Sequence, residues 1–490
     1  MMALDQQRNW DVSMANNLDQ IIRSHHHHHH SHHHHHPHHT PRPSRGVKEA
    51  STKHYGGVDE PKRHQKQKGR DEGAAWPTPL VHLPDEIIIE ILDHVARSSE
   101  SQHTLASCCL LSHQWYSAAV PFLYARPFIS GHNYDPFART IITSLNLKVR
   151  DSPLAKLIRG LNMASLVHQG SKSSTARLLS RTKDNLQDFI APVATFGSNC
   201  LAPLAKCSHL QTLDLSLVSE CPPLPDLFRA VSRLDNLHTF RLPRSSGFGG
   251  VSHNPDSFTW PPNLADLTLS GGIDAHFLHG VVAFPQTLRS LTIEHCPLAK
   301  AFAVTHLLKK AIRPLRNLHT LKIRHMPRLS AHALDDVLFL LPQIRRLSIS
   351  VDYITPALFD ETHFHDPKGP LSDLDESPTP AEPLKHSLHT LELTNSGNPG
   401  VEDKITPIDI MIAIDEGSVP HLRVVRVAQS LHWHSHATLG DTEALADVLQ
   451  EASRRDWVGE GRGSLVGGGA VSRPWESAAG VWRFDDAMIR

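Results

Sequence analysis

Along residues 210–428 one arrangement of apolar positions recurs, L-x-x-L-x-L. It appears as LQTLDLS from Leu210, LHTFRLP from Leu237, LADLTLS from Leu264, LRSLTIE from Leu288, LHTLKIR from Leu318, IRRLSIS from Ile344, LHTLELT from Leu388 and LRVVRVA from Leu422. Alternation over the last positions of each copy is the period of a β-strand, with Leu and Ile aimed one way and polar side chains the other. The copies begin 27, 27, 24, 30, 26, 44 and 34 residues apart. A unit of this size cannot bury its apolar side alone, so the pattern predicts an α/β solenoid: parallel strands stacked in chain order over a shared core, with helices on the outside.

The first five spacings lie at or within one residue of the about 20 to 29 residues of a leucine-rich repeat. Helical periodicity between the strands supplies the outer wall at 226–234 (Leu227, Val231, Leu234), 302–315 (Val304, Leu307, Leu308, Ile312), 332–341 (Leu334, Val337, Leu338, Leu341) and 407–415. Upstream, Ile158, Leu161 and Met163 fit the same template 52 residues before Leu210, about two periods, with a helix predicted over 185–205 between them. The repeat domain is therefore placed at 150–457, closed by an amphipathic helix over 441–457 with Leu445, Val448, Leu449 and Ala452 on one face. The 44-residue interval holds an acidic, proline-rich insertion at 366–385, which is either a phosphorylation-controlled arm through Ser377-Pro378 and Thr379-Pro380 or padding. A glycine-rich segment, 458–490, ends the chain, its Trp475, Trp482 and Phe484 either packing back or staying mobile.

A separate helical pattern precedes the repeats. Pro84 stands where a first helical residue is tolerated, Asp85 and Glu86 follow where the helix dipole favours acids, and Ile87, Ile88, Ile91, Leu92 and Val95 form an apolar stripe. A second run carries Leu105, Cys108, Leu111, Trp115 and Ala119, and Pro121-Phe122-Leu123-Tyr124 begins another turn. Three short helices cannot bury this much surface, so the excess is either docked on the neighbouring domain or reserved for a partner. The residues Leu83-Pro84-Asp85-Glu86-Ile87, then Ile91-Leu92, then Leu111-Ser112 with Trp115 three positions on, resemble the F-box over 80–128. The spacer before Leu105 is longer than is usual in that family. The resemblance implies docking of Leu83, Pro84, Ile87, Ile91, Leu92, Leu111 and Trp115 onto the Skp-type adaptor of a cullin-RING ubiquitin ligase, a helix-in-groove contact. The order of modules resembles fungal F-box/leucine-rich-repeat proteins, which implies a non-catalytic substrate receptor of an SCF-type ligase, linked through the adaptor to a cullin and resident in cytoplasm or nucleus. A ligase-independent repeat scaffold is the alternative reading of the same modules.

Composition changes this picture only at the edges. With 49 Lys+Arg against 50 Asp+Glu the formal charge is −1, which favours neither a nucleic acid nor a membrane surface as partner. No apolar run reaches the about 18 residues of a membrane helix, and Asp5, Asp11 and Asp19 do not fit a signal peptide, so a soluble intracellular chain is expected. Thirteen of the 39 histidines lie between His25 and His39 in a tail, 1–76, too polar to fold. That tract reads either as loose metal binding or as a low-complexity expansion or tag. A fixed site needs fixed geometry, so no metal and no cofactor is expected, and neither His432–His436 nor the His363 and His365 pair brings a cysteine or carboxylate at a ligand spacing. The six cysteines read as reduced core thiols. No GxSxG, P-loop or HExxH motif provides a catalytic centre. On the concave face, mixed charges without an aromatic ladder argue against nucleic acid. Lys322, Arg324 and Arg346 are the candidate patch for an acidic or phosphorylated protein substrate, with an Arg324–Glu294 cross-strand pair as the plainer account of Arg324.

Overall fold

The computed structural model describes residues 83–98, 101–142, 152–167, 169–246, 259–273, 277–278, 284–360, 386–395, 404–459 and 478–485. The histidine tract, His363, His365 and the 366–385 insertion lie outside them. The chain divides into two units, Met1–Phe122 and Leu123–Arg490.

In the first unit, helix α1 (Asp85–Ala96) has no side-chain cap of its own at Pro84. Its start is tied instead by Gln114, whose Nε2 donates to the Leu83 carbonyl at 2.9 Å and to Asp85 Oδ1 at 2.7 Å. Ile88 and Leu92, four residues apart, are fully buried and pack with Leu105, Ala106 and Cys109 of and beside α2 (Ser101–Cys108). The expected continuous second helix is broken at residues 109–112. Ser112 Oγ accepts the Trp115 N–H at 3.2 Å and starts α3 (His113–Ala125), because a hydroxyl at a helix start satisfies an otherwise orphaned donor. Pro121 lies inside α3 rather than opening a further turn.

The second unit opens with α4 (Tyr134–Ile141) and then builds a single parallel sheet of eleven strands in chain order: β1 Gly160–Asn162, β2 Asp188–Ile190, β3 Thr212–Asp214, β4 Thr239–Arg241, β5 Asp266–Ser270, β6 Ser290–Glu294, β7 Thr320–Arg324, β8 Arg346–Ser350, β9 Thr390–Thr394, β10 Val424–Ala428 and β11 Gly480–Phe484. The register sets Leu161, Phe189, Leu213, Phe240, Leu267, Leu291, Leu321, Leu347, Leu391 and Val425 in one buried column. The leading apolar residue of each repeat from β1 to β10 is buried as well. Each such side chain contributes about 1.5–3 kcal/mol of transfer free energy, and no repeat keeps that gain without its neighbours.

A second device ties the repeats. At six boundaries the side chain of the residue before the leading apolar position donates to a backbone carbonyl of the preceding repeat: Asn185 to Lys156 at 2.6 Å, Asn236 to Ser208 at 2.7 Å, Asn263 to Asp235 at 2.9 Å, Thr287 to Leu264 at 2.8 Å, Asn317 to Gln286 at 2.8 Å and Gln343 to Leu315 at 3.3 Å. The asparagine that often closes the repeat motif is absent, and these side chains hold the turns on the opposite edge.

Three sequence expectations change. The helix over 185–205 is replaced by β2 and the short α6 (Leu201–Leu204), while the outer helix of that repeat is α5 (Lys172–Thr182), started by a Ser171/Ser174 capping box. Leu186, 28 residues after Ile158 and 24 before Leu210, begins this repeat, and Phe189 and Ala191 stand where leucines would have advertised it. The outer wall is also more broken than its periodicity suggests. Beyond α7 (Leu224–Val231), α8 (Ala301–Leu307) passes into a π turn at Leu308–Ile312, and α9 shrinks to Val337–Leu340. Finally, α10 (Pro407–Asp415) follows β9, and α11 (Leu439–Gly459) is a crossover that packs on β11 rather than a terminal seal. Trp482 and Phe484 belong to that last strand. All six cysteines are free thiols, and burial pushes Cys109 up to about 11 and Cys207, Cys221 and Cys296 up to about 12.

Candidate functional site

The helical unit leaves apolar side chains in water. Three consecutive isoleucines on α1 sweep around its axis by about 100° each, so when Ile88 turns inward, Ile87 and Ile89 cannot follow it. Ile87, Ile89 and Ile91 are 48%, 47% and 39% exposed, and Leu110 and Leu111, in the turn before α3, 55% and 65%. Pro84 is exposed and Leu83 and Trp115 half-buried. Apolar groups of this size left in solvent mark a docking surface more often than a fold requirement.

In the solenoid, the sheet face turned away from the helices carries a register column running Asn162, Ile190, Asp214, Arg241, Thr268, Thr292, Lys322, Ser348, Glu392, Arg426, Trp482. Its charges are mostly answered next door. Arg241 donates to Asp214 at 2.8 Å, and Glu392 accepts from Arg426 at 2.8 Å and from the Ser348 hydroxyl at 2.9 Å. The Arg426 guanidinium also lies 5.3 Å from the centre of the Phe484 ring, a cation–π distance. In the adjoining column Arg324 reaches Glu294 at 3.2 Å. Lys322 is half-buried, and its ammonium is held below the usual lysine range by that burial first and then by Arg324 and Arg346, against the pull of Glu392 and Glu294.

Where the strands end, the chain turns through left-handed backbone. Gly271 has φ +92°, and a Cβ there would meet the Ser246 carbonyl oxygen at 2.5 Å. In the next two repeats His295 and His325 hold that position, with φ of 52° and 51°, and their rings stack at 4.5 Å with 8° between planes. His295 is pushed down to about 4 by burial, then by Arg244 and His325, with Glu294 opposing and Arg324 adding to the effect. At the far end, a cavity of about 570 Å³ is lined by Gln429, His432, Trp433, His434 and Arg483, among others. Among the described residues no three His, Cys, Asp or Glu side chains gather to hold a metal ion, and no helix is long and apolar enough to cross a membrane.

The F-box-like family matches residues 80–130, a span that includes α1, α2 and α3 with the exposed isoleucines. The chain carries an F-box-like domain. It is homologous to yeast F-box proteins. The F-box protein YDR306C of Saccharomyces cerevisiae is 32% identical over 351 residues, an alignment spanning 71% of this chain and 66% of that protein. Protein pof5 of Schizosaccharomyces pombe is 27% identical over 372 residues, spanning 75% of this chain and 96% of its own length. Among solved structures, the crystal structure of the yeast Rad7 and Elc1 complex aligns with a TM-score of 0.41 at 14% identity, covering 70% of this chain and 87% of that one.

Within the F-box, the residues singled out from sequence separate into two groups. Pro84, Ile87, Ile91 and Leu111 are exposed and Leu83 and Trp115 half-exposed, whereas Leu92 is fully buried and belongs to the core. Leu92 follows Ile88 by one helical turn, so it shares the inward face rather than the face of Ile87 and Ile91. Ile89 and Leu110 are exposed and escaped the sequence reading; a run of three β-branched residues on one short helix was the available signal. Of the sheet patch, Arg346 is exposed, Lys322 half-buried, and Arg324 buried in its pair with Glu294. Arg324 is thus first a cross-strand partner.

Proposed function

We propose that this chain is the substrate-recognition subunit of an SCF-type ubiquitin ligase. The F-box binds the Skp-type adaptor, and through it a cullin, while the open face of the solenoid receives a protein substrate. The observation that carries the reading is the set of exposed apolar side chains, Ile87, Ile89, Ile91, Leu110 and Leu111, on a unit of F-box-like sequence joined to a repeat array. Burying about 100 Å² of apolar surface per large side chain at about 25 cal/mol per Å² provides several kcal/mol of association free energy before entropic costs. The chain itself performs no chemistry in this role: it supplies proximity, and the ligase's other subunits transfer ubiquitin. Co-purification with the adaptor tests it. Wild type recovers the adaptor and a Leu83→Ala/Pro84→Ala double variant recovers much less; equally poor recovery by both overturns the ligase reading and leaves a repeat scaffold acting without a ligase.

A further inference from the structure

The two ends of the sheet are finished differently. At the first, the chain before β1 closes the edge: the Arg159 N–H donates to the Ala125 carbonyl at 2.8 Å, and Phe128 forms a parallel bridge with Asn162. At the last, β11 pairs with β10 alone. The Gly480 N–H donates to the Arg423 carbonyl at 3.0 Å. A parallel ladder alternates, so Gly480, Trp482 and Phe484 turn their backbone groups to β10, while Val481 and Arg483 turn theirs to the outer edge. Those outward groups have no backbone partner among the described residues. Arg483 takes the register position of the buried Val427, and a charge set on the core side of an edge strand commonly serves to repel other strands. Repulsion does not account for the rest of this end. Trp482 is 37% exposed and Val481 half-buried, so the apolar layer stops without a seal. Arg483 has no ion-pair or hydrogen-bond partner among the described residues, whereas Asp485 is already engaged. It also shares the cavity of about 570 Å³ at the strand exits with His434, whose buried Nε2 has no hydrogen-bond partner either.

We propose that β11 is completed by a twelfth strand from a partner protein. The occupant is an extended acidic segment that takes the outward N–H and C=O groups of Val481 and Arg483 and sets a Glu or Asp carboxylate against Arg483 at the mouth of the cavity. Only an extended backbone matches donors and acceptors that alternate along one edge, and the unpaired guanidinium fixes the sign of the side chain that faces it. The added strand continues the sheet past Trp482. This inference goes beyond the ligase reading and does not depend on what the F-box binds.

The test uses the purified full chain and three bead-bound degenerate peptide libraries of alternating polar and β-branched positions that differ only in a fixed central glutamate, serine or lysine. A fourth repeats the glutamate library with alternate amides N-methylated. Retention falls from glutamate to serine to lysine, by about threefold or more overall, the scale of one exposed ion pair, and N-methylation abolishes it. Val481→Pro removes an outward N–H and no bond to β10, a change that edge strands tolerate. It lowers retention by about fivefold, the scale of one hydrogen bond, at an unchanged melting temperature. Arg483→Gln levels the three libraries without abolishing retention. Equal retention of the N-methylated library, no order among the other three, or retention that survives Val481→Pro overturns the proposal. If Val481→Pro does not fold, the N-methylated library, which leaves the chain untouched, decides. Hydrogen exchange of the free chain, resolved to single amides, reads the other occupants. Val481 and Arg483 exchange faster than Trp482, whose N–H is held by β10; equal protection at all three overturns the proposal, and sedimentation then distinguishes a second copy on the edge from the chain's own residues.

Discussion

The F-box and the solenoid treat their apolar residues in opposite ways. The solenoid hides nearly every leucine of its repeats and pairs most of its surface charges on neighbouring strands, so its sequence is spent on making one repeat fit the next. The F-box, with a small core around Ile88, Leu92 and Leu105, leaves five large aliphatic side chains exposed. In the first region an apolar residue reports stability. In the second, the same residue type stays in solvent, where the proposed adaptor contact would bury it, and burial in the structure separates the two groups that composition merges.

This difference can be broken by substitution, and the largest effect is expected in the sheet. Phe240→Ala empties a site in the continuous core column and should cost about 3–5 kcal/mol, read as a loss of the folded baseline in thermal or urea denaturation. Leu111→Ala, 65% exposed, should change stability by less than about 0.5 kcal/mol while weakening adaptor recovery. If the two variants are equally unstable, the contrast between the regions is wrong. Gly271→Ala comes next. With φ +92° and the Ser246 carbonyl 2.5 Å from the new Cβ, destabilisation of more than about 1 kcal/mol is expected, and a silent variant would show that the strand exits are softer than their geometry.

The repeats were legible because Leu, Ile or Val at three fixed positions survives in most copies. The repeat beginning at Leu186 was not, since Phe189 and Ala191 fill the same buried column with a ring and a methyl group and Gln187 and Asp188 read as helix surface. Nor was β11: Val481 and Arg483 take the register positions of Val425 and Val427, so a strand ordered by pairing with β10 carries almost none of the motif. In the F-box the apolar residues were readable as a set, but not their sides. A stripe at i and i+4 does not say which of two neighbouring stripes faces inward, and that ambiguity misplaced Leu92 and passed over Ile89 and Leu110.

Smaller effects sharpen the account of how the solenoid is tied. Asn236→Ala removes one inter-repeat hydrogen bond and should cost about 1 kcal/mol, additive with Asn317→Ala because the two residues sit in different repeats; chemical denaturation of the single and double variants checks both statements. The smallest expected effect is a pH slope. His295 is held down to about 4 in the folded chain, below the about 6.5 of an unfolded histidine, so between these values the unfolded chain binds more protons. Stability therefore falls as pH falls through that window, and His295→Asn, whose side chain tolerates the same left-handed backbone, should flatten the slope of melting temperature against pH there.

The most direct test is the dissociation constant of the full chain for the Skp-type adaptor, measured by calorimetry for wild type and for an Ile91→Asp/Leu111→Asp variant of unchanged melting temperature. The account predicts a loss of affinity of about 100-fold or more, the scale of two central contacts in a desolvated interface. Equal affinity in the two chains would contradict it.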